Sequence, residues 1–559
     1  MDKILSQSQD FSEIRLNGFQ YVDKTQYIYN LLNMEKPCLL ARPPFFGLPL
    51  FVSATRAVLD GRRELFTDLW IGKSDYDFEP RDYVYLNFND IKCDRLFQVR
   101  KYLFAVIKKA AKAHGVGLYH KPTVRDPRND FKYTDILLRP MEKLVSEIFL
   151  KNGHKPVTII IEGYDTPALQ FLSRSPELLL DLGDELGFLY QQLVINDQTG
   201  LVFFAGENRW NIGADPKDKQ PVTDLSFDPN FANACGITDE EFRTYFAAPS
   251  KEAISDLIID KILGPKADVA DLKALLDECY GGFTWNGTDR LLNPYSTIEF
   301  FNQEALKNFS EETISPSTLE YLRQNPPNLP KIFTKKTHLG SLTKPHKRLK
   351  LTPETQMFQR GLLRWERRLT IYNLPLVSLY FPNLEVKCSV IPVLLNFSEP
   401  MLPFKMIRSL GESFKKALYD GDALKTKVVF YQLAKASPLK REHDFFDYGI
   451  NLIFYLLAIS DQSLQALDDL TPLEFAFSRH QTQEPEFDGH LILPRFVSKS
   501  GDPRIDQVIE KEYPPADEIK ASVLEQLCPT LDPKKLTMTV WEVDFNCKTK
   551  RIKTFFKKL

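Results

Sequence analysis

The stretch ARPPFFGLPLF, Ala41 to Phe51, decides the fold. It follows the apolar run CLL (Cys38 to Leu40) and precedes VSATRAVLDGRRELF (Val52 to Phe66), a helical pattern. A buried strand, a glycine-bearing turn and a helix, in that order, aim backbone N–H groups and a helix N-terminus at a place where phosphate can sit. Yet this turn carries three prolines, Pro43, Pro44 and Pro49, and offers neither a lysine nor a hydroxyl. It reads as a nucleotide site, a degenerate one, or a plain connection.

Three more runs resemble CLLA (38–41) in being apolar without alternation: YVYLNF (83–88), VTIII (157–161) and LVFFAG (201–206). Such runs predict parallel strands buried on both faces. Helical patterns separate them, among them LFQVRKYLFAVIKKAAKAHG and DILLRPMEKLVSEIFLKNG. Strands alternating with helices predict an α/β fold, a doubly wound parallel sheet with ligands at the carboxyl ends of its strands. From Thr238 the pattern turns helical, and Thr238 with Glu241 forms a capping box. Residues 310 to 350 are rich in Pro, Ser, Thr and Lys, and KKTHLGSLTKPHKRLK reads as a linker. Beyond it, helices mix with short strands such as HLILP and KLTMTVWEVDF, and no internal repeat is visible.

A chain of 559 residues is too long for one core and predicts two to four domains. With 43% hydrophobic and 26% charged residues it is globular rather than disordered. A formal net charge of -2 gives no global attraction to nucleic acid or membrane, so such binding needs a local patch. The seven cysteines include no CxxC pair, which predicts reduced thiols, a cytosol-like compartment and no structural zinc. The first twenty residues lack the apolar core of a signal peptide, and INLIFYLLAI (450–459) is too short to span a bilayer.

Several boxes together resemble a family of AAA-ATPase-like proteins with a C-terminal PD-(D/E)XK nuclease-like domain. FQYVDKTQYIYNLL (19–32) is similar to its YVDKT opening, and RPPFFGLPL (42–50) stands at its phosphate loop. VTIIIEGYD (157–165) stands at its acidic strand end, and GITDEEF (236–242) and CYGGFTWNGTDRLLNPYS (279–296) at its later boxes. FPNLEVK (381–387) and RIDQVIEKEY (504–513) complete the series in family order. The resemblance implies a P-loop, AAA-like core over 1–235 and a helical lid over 236–310. It also implies a linker over 311–350, a connecting region over 351–425 and a restriction-endonuclease-like domain over 426–559.

The same resemblance places the site residues. A P-loop lysine reaches the β/γ-phosphates and its Ser/Thr holds Mg²⁺. Leu48 and Pro49 occupy those positions, and Pro49 is expected to push Leu48 out of helical geometry. Glu162 and Gly163 stand where a metal-binding Asp and a catalytic Glu belong, with Asp165 as a further acid that either shares a metal or caps nearby groups. Ala205 replaces a hydroxyl at the fourth strand end, and Arg209 matches a family arginine. Arg42, Gly47, Leu48, Pro49, Ala205 and Arg209 then line a vestigial nucleotide pocket. At the nuclease-like end Asp488 matches the first acid, the family spacing puts the E-x-K at Pro494 and Phe496, and Glu486 and Lys499 are the shifted alternatives.

The expected function is therefore a catalytically degenerate pseudo-ATPase and pseudo-nuclease that binds a macromolecular partner. It is expected to need no ATP, Mg²⁺ or other metal, and to act as a secreted effector or as the inactive partner of an active relative. Its place would be the cytoplasm, or a host cytosol or nucleus if exported. One alternative is an ATP-dependent nuclease with shifted residues. Another is a non-catalytic nucleic-acid binder using Lys344, Lys347, Arg348 and Lys350, or the C-terminal KTKRIKTFFKKL, whose bland reading is a frayed tail. His443 in REHDFF reads as a solvated helix start.

Overall fold

The computed structural model describes residues 6–118, 133–209, 222–309, 313–327, 337–343, 352–371, 374–394, 403–436, 475–481, 487–496, 536–546 and 551–558, with Ile332 and Leu456. The chain separates into two compact units interleaved in sequence. One is Met1–Ala305 with Glu311–Gln324 and Leu339–Arg364; the other is Leu306–Ser310, Asn325–His338 and Trp365–Leu559.

The first unit begins with two short helices, α1 (Phe11–Leu16) and α2 (Thr25–Leu32). Strand β1 (Cys38–Ala41) is buried at every position, as its unbroken apolar run requires. Helix α3 (Leu48–Leu59) follows, and Gly61, at φ +73°, ends it before the helical pattern of the sequence runs out. Strand β2 (Tyr83–Asn87), helices α4 (Leu96–Ala113) and α5 (Tyr133–Lys151), and strand β3 (Val157–Glu162) come next. Helices α6 (Thr166–Leu169) and α7 (Pro176–Val194) lead to β4 (Thr199–Gly206), and the two-residue β5 (Thr223–Asp224) closes the set.

These five strands form one sheet in the order β2-β3-β4-β1-β5, every pair parallel. The connection from β1 to β2 runs toward one edge, and those from β2 through β5 run toward the other. Right-handed crossovers then put α3 on one face and α4, α5 and α7 on the other. The packing agrees: α3 lies with α1 and α2, while α4 packs on α5 and α5 on α7. The sheet is doubly wound, and β1 and β4, adjacent strands whose connections leave in opposite directions, mark its ligand crevice.

Four helices follow: α8 (Asp239–Tyr245), α9 (Ala247–Ile259), α10 (Val269–Tyr280) and α11 (Pro294–Gln303). The Thr238–Glu241 capping box closes at the start of α8, with Glu241 N–H donating to Thr238 Oγ1 and Thr238 N–H to Glu241. The segment read as a linker, 311–350, carries structure: α12 (Pro316–Gln324), β6 (Thr337–His338) and α13 (Leu339–Thr343). Helix α14 (Pro353–Gln359) ends this unit's described elements.

The second unit holds β7 (Arg364–Ile371) and β8 (Leu374–Tyr380), which join β6 in the order β6-β8-β7. Helices α15 (Leu384–Leu394), α16 (Phe404–Asp420) and α17 (Ala423–Ala436) follow. A four-stranded sheet, β12-β11-β10-β9, is built from β9 (Phe475–Gln481), β10 (Phe487–Phe496), β11 (Leu536–Asn546) and β12 (Arg551–Lys558). The basic C-terminal run is therefore an edge strand and not a frayed tail, antiparallel to β11. Its Thr554 hydroxyl donates to Ala423 O at 2.6 Å.

Candidate functional site

The site is built where β1 stops. Arg42 follows the last residue of β1, and only 1% of it reaches solvent. Its guanidinium donates to the carbonyls of Ala41 (2.8 Å), Ser226 (3.0 Å) and Phe231 (2.7 Å) and lies 4.5 Å from the Trp285 ring centre. Burial lowers its pKa to about 10, which leaves it a cation at neutral pH. Arg42 is thus a brace tying β1 to the chain beyond β5.

The glycine turn is packed rather than open. Phe46 is fully buried edge-on against Phe283 and Trp285, at 4.9 and 4.8 Å between centres. Phe45 adopts φ +56°, stays 39% exposed and meets Tyr295 at 5.0 Å. The turn thus sets its two phenylalanines against residues 283–295. Gly47, at φ +96°, caps α3, and Leu48 is its first residue, only 5% exposed. The expected displacement of Leu48 by Pro49 does not occur. A proline in the first helical turn lacks an N–H that would have no helical partner anyway, and the pre-proline effect is a bias that the packed turn overrides.

At the end of β3, Glu162 accepts from Tyr85 Oη at 2.6 Å and Asn89 Nδ2 at 3.1 Å. Burial raises its pKa, opposed by the Tyr85 bond and by Arg56, whose guanidinium lies 3.9 Å from the Tyr85 ring centre. Gly163 has φ +67°, and a Cβ there would strike the Asn89 amide and come within 2.9 Å of Thr166 Oγ1. A glutamate here would strain the backbone and push the Asn89 and Thr166 side chains aside.

Asp165 is buried and does what a capping carboxylate does. It accepts from the N–H groups of Asn208 at 2.6 Å and Glu207 at 3.1 Å, fastening the turn that follows β4. Burial first, and Glu207 second, push its pKa up to about 6. Ala205 is buried in β4 between Leu40 and Glu162, and its carbonyl accepts from Gly163 N–H at 2.8 Å. Among the described residues no three His, Cys, Asp or Glu side chains cluster as metal ligands would.

Arg209 pairs with Asp224 of β5 and lies 4.8 Å from the Phe227 ring centre. It thereby spans from just past β4 to β5. A segment from far along the chain completes the closure. Arg360 pairs with Glu207 at 2.9 Å, Gln359 Oε1 accepts from Arg209 N–H at 3.1 Å, and Gln356 Nε2 donates to Asn208 Oδ1 at 3.3 Å. Phe358 stacks on Phe227 at 5.5 Å. Gly361 passes so close to Pro43 that a Cβ would stand 2.6 Å from its Cγ. Residues 356–361 therefore touch the chain just beyond the carboxyl ends of β1, β4 and β5, where a doubly wound sheet holds its ligand.

Residues 7–206 match a family described as a predicted AAA-ATPase. The match ends on the last residue of β4, so it covers β1 to β4 and the turn but neither α8–α11 nor the segment at 356–361. An uncharacterized protein in the vnfD 5′ region of Azotobacter chroococcum mcd 1 is 25% identical over 415 residues, 73% of this chain and 72% of that one. No solved structure matches.

One end of the five-stranded sheet thus brings together Arg42, Gly47, Leu48, Pro49, Glu162, Asp165, Ala205 and, just beyond the matched residues, Arg209. Asp488 lies apart, in the second unit. Asp488 is the second residue of β10, its backbone paired with His480 and Thr537. Pro494 and Phe496 share β10 with it. Glu486, Lys499, His443, Lys344, Lys347, Arg348 and Lys350 lie outside the described residues. The five described cysteines are free thiols, and no helix among the described residues is long and apolar enough to cross a membrane.

Sequence reasoning missed Trp285, Asp224, Gln356, Gln359 and Arg360. The one signal was a run of polar residues, Gln356, Gln359 and Arg360, set among Met357, Phe358, Leu362 and Leu363.

Proposed function

We propose that the first unit is a nucleotide-free AAA-ATPase-like module, and that the protein acts by binding a macromolecular partner. The observation that carries this reading is the contact of residues 356–361 with the chain just beyond β1, β4 and β5. Those residues and Asp165 engage the polar groups past β4, and Arg209 is committed to Asp224. Leu48 at the lysine position and Gly163 at the catalytic acid position support it, because neither offers the charge that phosphoryl transfer needs. Mg²⁺-ATP does not fit this set of residues.

The test is a titration of fluorescent ATP with Mg²⁺ into the full chain. No saturable binding up to millimolar nucleotide is the expected result, and micromolar binding displaced by unlabelled ATP would overturn the reading. An inactive nuclease half is proposed from the sequence resemblance alone, with Pro494 and Phe496 at the spacing of the E-x-K. DNA and RNA incubated with the protein and Mn²⁺ are expected to stay intact, and cleavage lost in Asp488→Ala would contradict it.

A further inference from the structure

Strand β2 is an edge strand: among the described residues only β3 pairs with it. Phe88 N–H donates to Glu162 O, so by alternation the N–H and C=O of Tyr83, Tyr85 and Asn87 turn to the open side. That side carries a cleft of 580 Å³. One wall is α3 and its C-cap, through Arg56 and Asp60; the other is α4, through Tyr102, Val106, Ala110 and Ala113; and β2 forms the floor. Because α3 and α4 cover opposite faces of the sheet, a cavity lined by both wraps the sheet edge, which is the place of a sixth strand.

The α4 wall is a second stripe on that helix. Its core stripe is Val99, Leu103, Ile107 and Ala111, while Tyr102, Val106, Ala110 and Ala113 recur at helical spacing toward the cleft. The two alanines leave width beside the strand. The charges balance: Arg56, Arg81 and Lys109 face Asp60, Asp82 and Asp90. A polyanion gains nothing from such a wall, whereas a neutral extended backbone finds donors, acceptors and tyrosine faces.

We propose that this cleft is a β-augmentation site, which binds an extended peptide segment of a partner protein as a strand beside β2. The proposal rests on the partner-binding half of the reading above and is independent of the nucleotide half. The edge of β2 is roughly 16 Å long at 3.3 Å per residue, enough for four or five peptide residues.

The test pans the full chain against a phage-displayed library of short linear peptides, then measures enriched peptides in solution. Tyr83→Pro removes one outward N–H at the first residue of an edge strand, where proline is tolerated. Ala110→Trp fills the cleft without touching the backbone, and Ala105→Trp, on the exposed side of α4, is the control. The expected result is binding that slows amide exchange at Tyr85 and Asn87 and weakens about tenfold or more in each of the first two variants but not in the control. Should Tyr83→Pro fail to fold, Ala110→Trp carries the test alone. No enriched peptide, or binding indifferent to both variants, would overturn the site. So would a concentration-dependent dimer abolished by Ala110→Trp, which would assign the edge to a second copy. Because ATP takes no part, failure here and failure of the nucleotide-free reading are separately visible.

Discussion

At the scale of single residues, the buried charges are structural braces. Arg42 is enclosed by carbonyls and the Trp285 face, so Arg42→Ala strips the donors from several buried acceptors at once. It is expected to cost roughly 3 kcal/mol or more in denaturant unfolding of the first unit. That variant is therefore a poor probe of ligand binding, since it disturbs the fold first. Asp165 gives a pH prediction. Its folded pKa of about 6 lies above the ordinary carboxylate value, so the folded state holds this proton more tightly than the unfolded state. The resulting stabilisation is fully present below about pH 4 and fades as pH rises through 6, by up to about 3 kcal/mol. Asp165→Asn is expected to flatten the dependence of Tm on pH between 4 and 7, and an unchanged slope would contradict the assignment. Part of this was legible in the sequence. Leu48, Pro49 and Gly163 announced what they lack, but nothing local showed that Gly163 has Asn89 against it or that Asp165 would cap Asn208.

At the scale of elements, the four apolar runs were readable because strands buried on both faces need no alternation. β5 was not, since two residues carry no period. Helix α14 was not either: a short helix whose partners lie some 150 positions earlier leaves no periodic trace of them, the Arg209–Gln359 pair being 150 apart. Its contribution is testable. Phe358→Ala removes the ring stacked on Phe227, a change that typically costs about 3–5 kcal/mol in a packed site. Amide exchange is expected to quicken at Glu207, Asn208 and Arg209, with β2 and β3 unaffected; equal exchange at 207–209 would show that α14 does not hold the turn. The C-terminal run was misjudged for a related reason. Its lysines and arginine looked solvated, but Ile552, Thr554 and Phe556 alternate with them as a strand allows.

At the scale of the whole molecule, the two units exchange segments in sequence, and composition alone could not show it. Pro, Ser and Lys suggested a linker over 311–350, yet α12 and α13 belong to the first unit and β6 pairs in the second. The matched segment, 7–206, is thus one part of a unit in which residues 356–361, which it does not include, pack on the chain just beyond β1, β4 and β5. Amide exchange over 352–364, measured with and without Mg²⁺-ATP, tests whether this packing excludes nucleotide. Slow exchange in both states, with no difference between them, is the expected result; fast exchange without nucleotide, or a change on adding it, would contradict it.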